Sequence, residues 1–276
     1  MKEYLAELDD AANGGATPVD PKFVAPTDPA ARWTAENGGP AFYRCADNHL
    51  NDLKHAVIMD VEVTIAVRQA EVGAAKTMIT QTADRFEIKP EHLATDTAYG
   101  CARTLAWLVD EQNIEPHILV FDKSGSKDGT FSRYDFSYDQ ATDVCVCPAS
   151  KTLTTTGLVN DEATLVYRAS KHDCDVCELK SRCCPNSPAR KVPRSIHEAA
   201  RDRARAIAKT DAYVTSRRER KKVEMLFAHL KRILKLDRLR LRGPCGARDE
   251  FLLAATVQNL LKMAKSISVM QLLPAF

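Results

Sequence analysis

Apolar and polar residues alternate with two different periods along the chain, and the period predicts which segments are strands and which are helices. Residues 41–64 alternate at every second position, which predicts a β-hairpin that turns near Asn51 and Asp52. One face of its second arm carries four apolar residues, Val57, Met59, Val61 and Val63. Asp60 is therefore predicted to lie on the opposite face of that arm.

The rest of the pattern alternates between helices and short strands. Helical spacing predicts helices at residues 1–12, 66–86, 99–112, 195–236 and 247–266, and short apolar segments predict strands at residues 93–96 and 118–121. The order of hairpin, helix, strand, helix, strand is typical of a mixed α/β sheet.

Composition divides the chain into four segments. They are an irregular N-terminal arm at residues 1–40, the first part of an α/β domain at 41–123, a cysteine-containing β insertion at 124–199 and the helical C-terminal part of the same domain at 200–276. The insertion is predicted from its short polar strands, turn residues and cysteines, which interrupt the longer helices on either side.

The apolar segments are too short for a membrane protein. The longest strongly apolar run, Phe251–Val257, is far below the roughly 20 residues that a membrane-spanning helix needs. The first residues, Met1–Leu5, also lack the apolar segment of a secretory signal. We therefore expect a cytoplasmic protein without membrane contacts.

The net charge of +2 conceals a strong asymmetry along the chain. Residues 1–100 hold 9 Lys/Arg against 16 Asp/Glu, a net charge of −7, whereas residues 201–248 hold 16 against 5, a net charge of +11. A basic block of this kind predicts a surface that binds a polyanion such as DNA, and its alternative is a solvated helix face.

Six of the nine cysteines fall between Cys145 and Cys184, which is unlike a disulfide framework spread over a secreted scaffold. Cys147, Cys174, Cys177 and Cys183 could close a tetrahedral site for a structural Zn²⁺ ion, with Cys145, His172 and Cys184 as rival ligands. The alternative is a set of reduced, partly buried thiols in a small β insertion. Cys45, Cys101 and Cys245 are interpreted as core or surface thiols.

Two motifs carry a resemblance to a known family. One is the spacing Arg217-x2-Arg220-x3-Glu224-x6-Lys231, and the other is residues 93–100, in which Asp96 ends a predicted strand ahead of Tyr99-Gly100. Both resemble motifs of DDE-type bacterial insertion-sequence transposases, whose signature is Tyr-x2-Arg-x3-Glu-x6-Lys, so that Arg217 stands where the family usually has Tyr. The resemblance extends over nearly the whole chain, including residues 28–32, the cysteine insertion and the last helix.

The resemblance implies a ribonuclease-H-like mixed sheet with flanking helices, in which three carboxylates hold two Mg²⁺ ions. Asp96 and Glu224 match the second and third acids. The family's first Asp lies on a strand that precedes the arm beginning at Asp28-Pro29, and that arm follows soon after Met1. We therefore expect an N-terminally truncated chain without the first acid, and we do not expect Asp60 to replace it, because Asp60 lies in the second arm of the hairpin.

The resemblance and helical geometry together assign the basic residues to DNA. Helical spacing places Arg217, Arg220, Glu224 and Lys231 in one stripe beside the apolar stripe of Val223, Leu226, Phe227, Leu230, Ile233 and Leu234. The expected DNA contacts are Arg217, Arg220, Lys221, Lys222, Lys231 and Arg232.

Each acid has a simpler interpretation. Asp96 could cap the helix that follows it, and Glu224 could form a surface ion pair with Arg220 four residues earlier. Asp28, followed by Pro29, is interpreted as a helix N-cap with proline at the first helical position.

Three hypotheses follow for function. The first is a transposase that cuts insertion-sequence ends and joins them to target DNA by a two-metal mechanism. The second is a catalytically inactive DNA-binding remnant that associates with itself or with intact transposase. The third is a zinc-stabilised module for protein contacts.

Overall fold

The structure is a computed structural model of the 276-residue chain, and it describes residues 23–34, 40–66, 68–121, 129–160, 163–236 and 238–271. The helix predicted at residues 1–12 lies outside these ranges. The described chain is a mixed α/β protein with two compact units. The first unit contains the residues up to Ala98 and those from Thr210 onward, and the second unit is Tyr99–Lys209. The second unit contains the predicted insertion and extends beyond it on both sides.

A three-stranded antiparallel sheet lies at the centre of the first unit, in the order β1-β2-β3. The strands are β1 (Arg32–Thr34), β2 (Phe42–Asn51) and β3 (Ile58–Ile65). Strands β2 and β3 form the predicted hairpin, with pairs from Cys45↔Ile65 to Asn51↔Ile58 and a shift of register next to Asn51. The period-two pattern of the sequence is therefore confirmed as a hairpin.

Helices pack on both faces of β3. Val61 and Val63 form a core cluster with Phe251 and its neighbours on α7 (Gly243–Gln271). Asp60 faces the other way, where its carboxylate lies 3.6 Å from the guanidinium of Arg85 near the end of α1 (Arg68–Phe86). Asp60 is thus confirmed to lie opposite Val61 and Val63. The other half of the predicted apolar face is wrong, because the core cluster contains Ile58 and not Val57 or Met59, where the strand register shifts.

A side-chain amide on α7 fixes that helix to the hairpin. Asn259 donates from Nδ2 to the carbonyl oxygen of Ile58 at 2.9 Å and accepts at Oδ1 from the Ile58 N–H at 3.0 Å. These two hydrogen bonds satisfy both backbone groups of one strand residue, much as a neighbouring strand would. Together with the apolar contacts, they fix the position of α7 along β3.

Two further elements of the first unit position the candidate acids. Strand β4 (His92–Ala94) ends just before Asp96, and α6 (Asp211–Arg232) carries Glu224. The N-terminus of α6 is capped by Thr210, whose side chain accepts a hydrogen bond from the Tyr213 N–H at 3.2 Å. Helix α6 touches β4 at a few residues.

The second unit contains a five-stranded antiparallel sheet in the order β10-β9-β8-β7-β6. Its strands are β6 (Ser137–Asp139), β7 (Val144–Val146), β8 (Thr152–Thr154), β9 (Thr164–Ala169) and β10 (Lys191–Ser195). Two short helices, α3 (Lys171–Asp175) and α4 (Lys180–Cys183), lie between β9 and β10. The short strands predicted among the cysteines are confirmed, and they pair as one antiparallel sheet.

The other elements of the second unit are α2 (Ala102–Ala106), β5 (Glu115–His117) and α5 (Glu198–Ile207). A π-helical turn at Trp107–Glu111 continues α2, and a 3-10 turn at Thr97–Tyr99 precedes it, so the predicted helix at residues 99–112 is interrupted. None of the helices in the described ranges is long and apolar enough to cross a membrane.

Three predictions about elements are corrected by the structure. The strand predicted at residues 118–121 instead lies at β5, since Pro116, His117 and Ile118 are buried while Leu119 is 51% exposed. No helix follows Asp28, whose Oδ2 instead accepts a hydrogen bond from the Gly243 N–H at 3.1 Å. The last helix extends beyond both predicted ends.

Candidate functional site

Asp96 lies in the short exposed segment between β4 and the 3-10 turn. Its Oδ1 accepts a hydrogen bond from the Ala98 N–H at 2.8 Å, so the carboxylate caps that turn. Its Oδ2 has no hydrogen-bond partner among the described residues. Capping therefore occupies one oxygen and leaves the other available to a cation.

Glu224 lies on the exposed side of α6, and its side chain is 58% exposed. The Glu224 Oε1 is 3.0 Å from Nη2 of Arg220, one helical turn earlier, so the simple ion pair that the spacing predicts is present. Exposed pairs of this spacing contribute only about 0.3–0.5 kcal/mol. A divalent cation could therefore take over the Glu224 carboxylate at little cost in stability.

One contact between elements relates the two segments that carry these acids. Helix α6 touches β4 at a few residues, and β4 ends two residues before Asp96. Both acids thus belong to one compact unit, although they are far apart in the sequence. Carboxylate oxygens are the ligands that Mg²⁺ prefers, so the chemistry of the pair suits that ion.

Within the described ranges, no three side chains of His, Cys, Asp or Glu lie close enough together to hold a metal ion. Asp96 and Glu224 therefore have no third protein ligand of these types in the part of the chain that the structure describes. The bridging of the two acids by metal remains a prediction.

The outer surface of α6 is strongly basic. Five of the six cations assigned to DNA are exposed: Arg217, Lys221, Lys222, Lys231 and Arg232. The sixth, Arg220, is half-buried beside Glu224. Arg218 is also exposed. Helical phase therefore separates this basic surface from the buried side of the same helix.

The apolar stripe of α6 is only partly as predicted. Val223 and Leu230 are buried, and Phe227 stacks on His49 of β2 with ring centroids 4.7 Å apart. Ile233 is 64% exposed, because α6 ends at Arg232 and the chain changes direction there. Its predicted place in the stripe is wrong.

The clustered cysteines of the second unit are free thiols around one hydrophobic core. Cys145, Cys183 and Cys184 are buried in that core, and Cys147 and Cys174 pack against it. Burial, with a smaller contribution from the neighbouring Cys184, raises the pKa of Cys183 to about 11. Cys177 is half-buried and His172 is exposed. The arrangement matches the alternative of reduced thiols, and zinc binding remains a prediction.

Sequence reasoning did not identify a buried charge of the second unit that pairs with several arginines. The Glu198 carboxylate has a side chain only 3% exposed and lies within 3.2 Å of three guanidinium groups, those of Arg133, Arg201 and Arg205. Arg201 and Arg205 lie one and two turns along α5 and could have been paired with Glu198 from spacing, but Arg133 is 65 residues away in the sequence.

Comparison with known proteins relates part of the chain to one family. Residues 146–264, somewhat less than half of the chain, match the sequence profile of a family described as "Transposase DDE domain". The matched range contains Glu224, the whole of α6 and the predicted zinc ligands, whereas Asp96 lies before it. No curated protein and no solved structure matches the chain.

Proposed function

We propose, with the transposase DDE domain of residues 146–264 as the premise, that this chain cleaves DNA at insertion-sequence ends and transfers the freed strand to target DNA. The observation that supports this most directly is the composition of one helix. Helix α6 carries a metal-compatible acid and a row of exposed cations, and it touches the strand that leads to Asp96. An enzyme that cuts a phosphodiester needs acids that hold metal ions and cations that hold DNA in the same region of the protein.

In this proposal Asp96 and Glu224 hold Mg²⁺ through their carboxylate oxygens. Such ions would supply an activated water molecule and neutralise the leaving oxygen. The Asp96 Oδ1 accepts from the Ala98 N–H, which fixes the orientation of the carboxylate, and its Oδ2 would be the oxygen offered to an ion. Glu224 would hold an ion in place of the Arg220 guanidinium, which would leave Arg220 available to a DNA phosphate.

The six cations of α6 hold the DNA strand beside the acids. An α-helix with Lys and Arg along one side neutralises successive phosphates, which positions the nucleic acid without reading its sequence. These residues are Arg217, Arg220, Lys221, Lys222, Lys231 and Arg232. We further propose a ribonuclease-H-like catalytic domain and self-association, as expected for the family.

A DNA-binding protein without catalytic activity is the second candidate. It is favoured by the absence of a third His, Cys, Asp or Glu near the acidic pair among the described residues. Two carboxylates alone would hold a pair of metal ions poorly. In that case the basic surface of α6 would act by binding DNA or by associating with an intact transposase.

The described thiols do not form a metal site as they stand, so a structural Zn²⁺ on Cys147, Cys174, Cys177 and Cys183 is proposed only as a separate property of the second unit. Measurement of the zinc content of the purified protein tests it. One equivalent that is lost on Cys174→Ser would support the site, and less than about a tenth of an equivalent would contradict it.

The test of catalysis uses a supercoiled plasmid that carries the gene of this chain with its natural flanking DNA. We expect Mg²⁺-dependent nicks in the flanks, reduced about a thousand-fold by Asp96→Asn and by Glu224→Gln, if each ligand contributes about 4 kcal/mol to transition-state stabilisation. Glu219→Gln, also on α6, is the matched control and should keep activity. Equal background nicking by all four proteins would instead support the inactive DNA-binding protein.

A further inference from the structure

The segment between α6 and α7 concentrates positive charge around a small hollow in the first unit. The hollow has a volume of about 340 Å³ and is lined by four cations and one apolar residue: Lys235, Arg238, Leu239, Arg240 and Arg242. All four cations are exposed. Residues 235–242 contain a single acid, Asp237, which lies outside the described residues, so the segment carries a net charge of +3.

The backbone of this segment is held by carboxylates that leave its guanidinium groups unneutralised. Glu250 Oε1 accepts hydrogen bonds from the N–H groups of Arg240 and Leu241. Asp28 Oδ2 accepts from the Gly243 N–H at 3.1 Å. Among the described residues, the side chains of the four cations form no ion pair or hydrogen bond.

One leucine of the segment is fixed in the core beside the cations. Leu239 packs against the core cluster that contains Phe251, and this fixes one side of the segment to the protein. Arg238, Arg240 and Arg242 are exposed, and all three line the hollow. Four exposed cations around one hollow repel one another, and a bound anion relieves that repulsion.

We propose that this hollow, formed by Lys235, Arg238, Arg240 and Arg242, binds the phosphate backbone of duplex DNA as a second contact beyond α6. A guanidinium group presents a planar fork that matches phosphate oxygens. Three such groups around one hollow therefore favour a phosphate backbone as the ligand over a single carboxylate. The proposal rests on the proposed DNA-processing function, and it extends the contacted DNA past the end of α6. This second contact does not require Asp96 or Glu224 to bind metal.

The test measures the salt dependence of duplex DNA binding without Mg²⁺, for the full chain and for the triple variant Arg238→Gln/Arg240→Gln/Arg242→Gln. Each lost phosphate contact lowers the slope of log K against log salt by about 0.9, so three contacts lower it by about 2.7. Between 50 and 200 mM salt, the unaltered chain should then lose about 40-fold more affinity than the variant. Thermal unfolding of both proteins verifies that the variant is folded.

The matched control removes three exposed cations of the first unit elsewhere, by Lys54→Gln/Lys89→Gln/Lys265→Gln. It makes the same change in net charge and should change the slope by less than one contact. An equal loss of slope in both triples would overturn the proposal, because net charge alone would then account for it. An unchanged slope in the arginine triple would overturn it as well.

Three further outcomes test the assignment to DNA and separate this inference from its premise. If the arginine triple weakens binding to poly-glutamate as much as to DNA, the hollow is a general anion surface and the assignment to DNA is wrong. If plasmid nicking is absent but the slope falls as expected, catalysis fails while the DNA contact stands. If nicking occurs and the slope is unchanged, the second contact alone is refuted.

Discussion

Glu198 is a buried carboxylate on which three arginines converge, and Glu198→Gln tests what holds α5 in place. Its two oxygens accept hydrogen bonds from Arg133 at 3.1 and 3.2 Å, from Arg201 at 3.2 Å and from Arg205 at 3.0 Å. Burial alone would lower the pKa of Arg205, but the hydrogen bond and the charge of Glu198 raise it above its ordinary value. The network therefore depends on one negative charge.

The amide in Glu198→Gln keeps the volume but removes the charge, so that three guanidinium groups face one another. Breaking a buried ion pair by removing one partner costs about 3–5 kcal/mol. The arginine side chains are 16–28% exposed, which lets water solvate them in part. We therefore expect a loss at the lower end, about 3 kcal/mol, which at about 2–4 °C per kcal/mol lowers the melting temperature by about 6–12 °C.

The assay is urea unfolding followed by circular dichroism, with amide hydrogen exchange along α5 as a local measure. Asp202→Asn is the control, because Asp202 also pairs with Arg205, at 2.6 Å, but its side chain is 57% exposed. That change should cost less than about 1 kcal/mol. A similar small loss for Glu198→Gln and Asp202→Asn would refute the conclusion that the buried charge organises this part of the second unit.

Contacts of single residues give three other predictions. Asn259→Leu leaves both backbone groups of Ile58 without partners, so the free energy of unfolding should fall by about 2–3 kcal/mol in urea titrations, and no change would contradict the role of that amide in anchoring α7. Gly100→Ala places a methyl group against the backbone carbonyl oxygen of Leu119, so the yield of folded protein should drop sharply. A normal yield with an unchanged melting temperature would show that Gly100 and Leu119 do not pack this closely. Hydrogen bonds, above all from Tyr167, lower the pKa of Asp143, so stability from this group is present above its unfolded pKa and is lost as pH falls through the lower folded pKa. Asp143→Asn should therefore reduce the difference in unfolding free energy between pH 7 and pH 3. An undiminished difference would contradict the stabilising role of the Asp143 carboxylate.

The hairpin and the long helices could be predicted because they depend on local periodicity. Val61 and Val63 recur at the strand period, and α6 follows the helical period until Arg232. The end of α6 could not be predicted from that period, because Ile233 continues the apolar spacing although the chain has left the helix.

Contacts between distant residues could not be predicted. Asp28 precedes a proline, which favours a helix N-cap, but its carboxylate bonds to Gly243, more than two hundred residues later. Glu198 gains its third arginine from a segment 65 residues earlier. In both cases the partner is set by tertiary packing, and no local pattern encodes it. The simple interpretations of Asp96 as a cap and of Glu224 as an ion pair were local, and the structure confirms both contacts.

The cations between α6 and α7 were visible in the sequence as part of the basic block. Their convergence on one hollow was not, because it requires Leu239 to be fixed in the core and Glu250 to hold the backbone. Charge counts thus predicted a polyanion-binding surface, whereas its division into a helical part and a hollow depends on the fold.

The central claim is that the carboxylates of Asp96 and Glu224 share a divalent ion. Replacing Mg²⁺ by Fe²⁺ in the presence of ascorbate and peroxide generates radicals at the bound ion, which cut the polypeptide next to its ligands. We predict two cuts, one near residue 96 and one near residue 224, and the loss of both when only Asp96 is changed to Asn. A cut near residue 224 that persists in Asp96→Asn, or cuts at neither position, would contradict the claim.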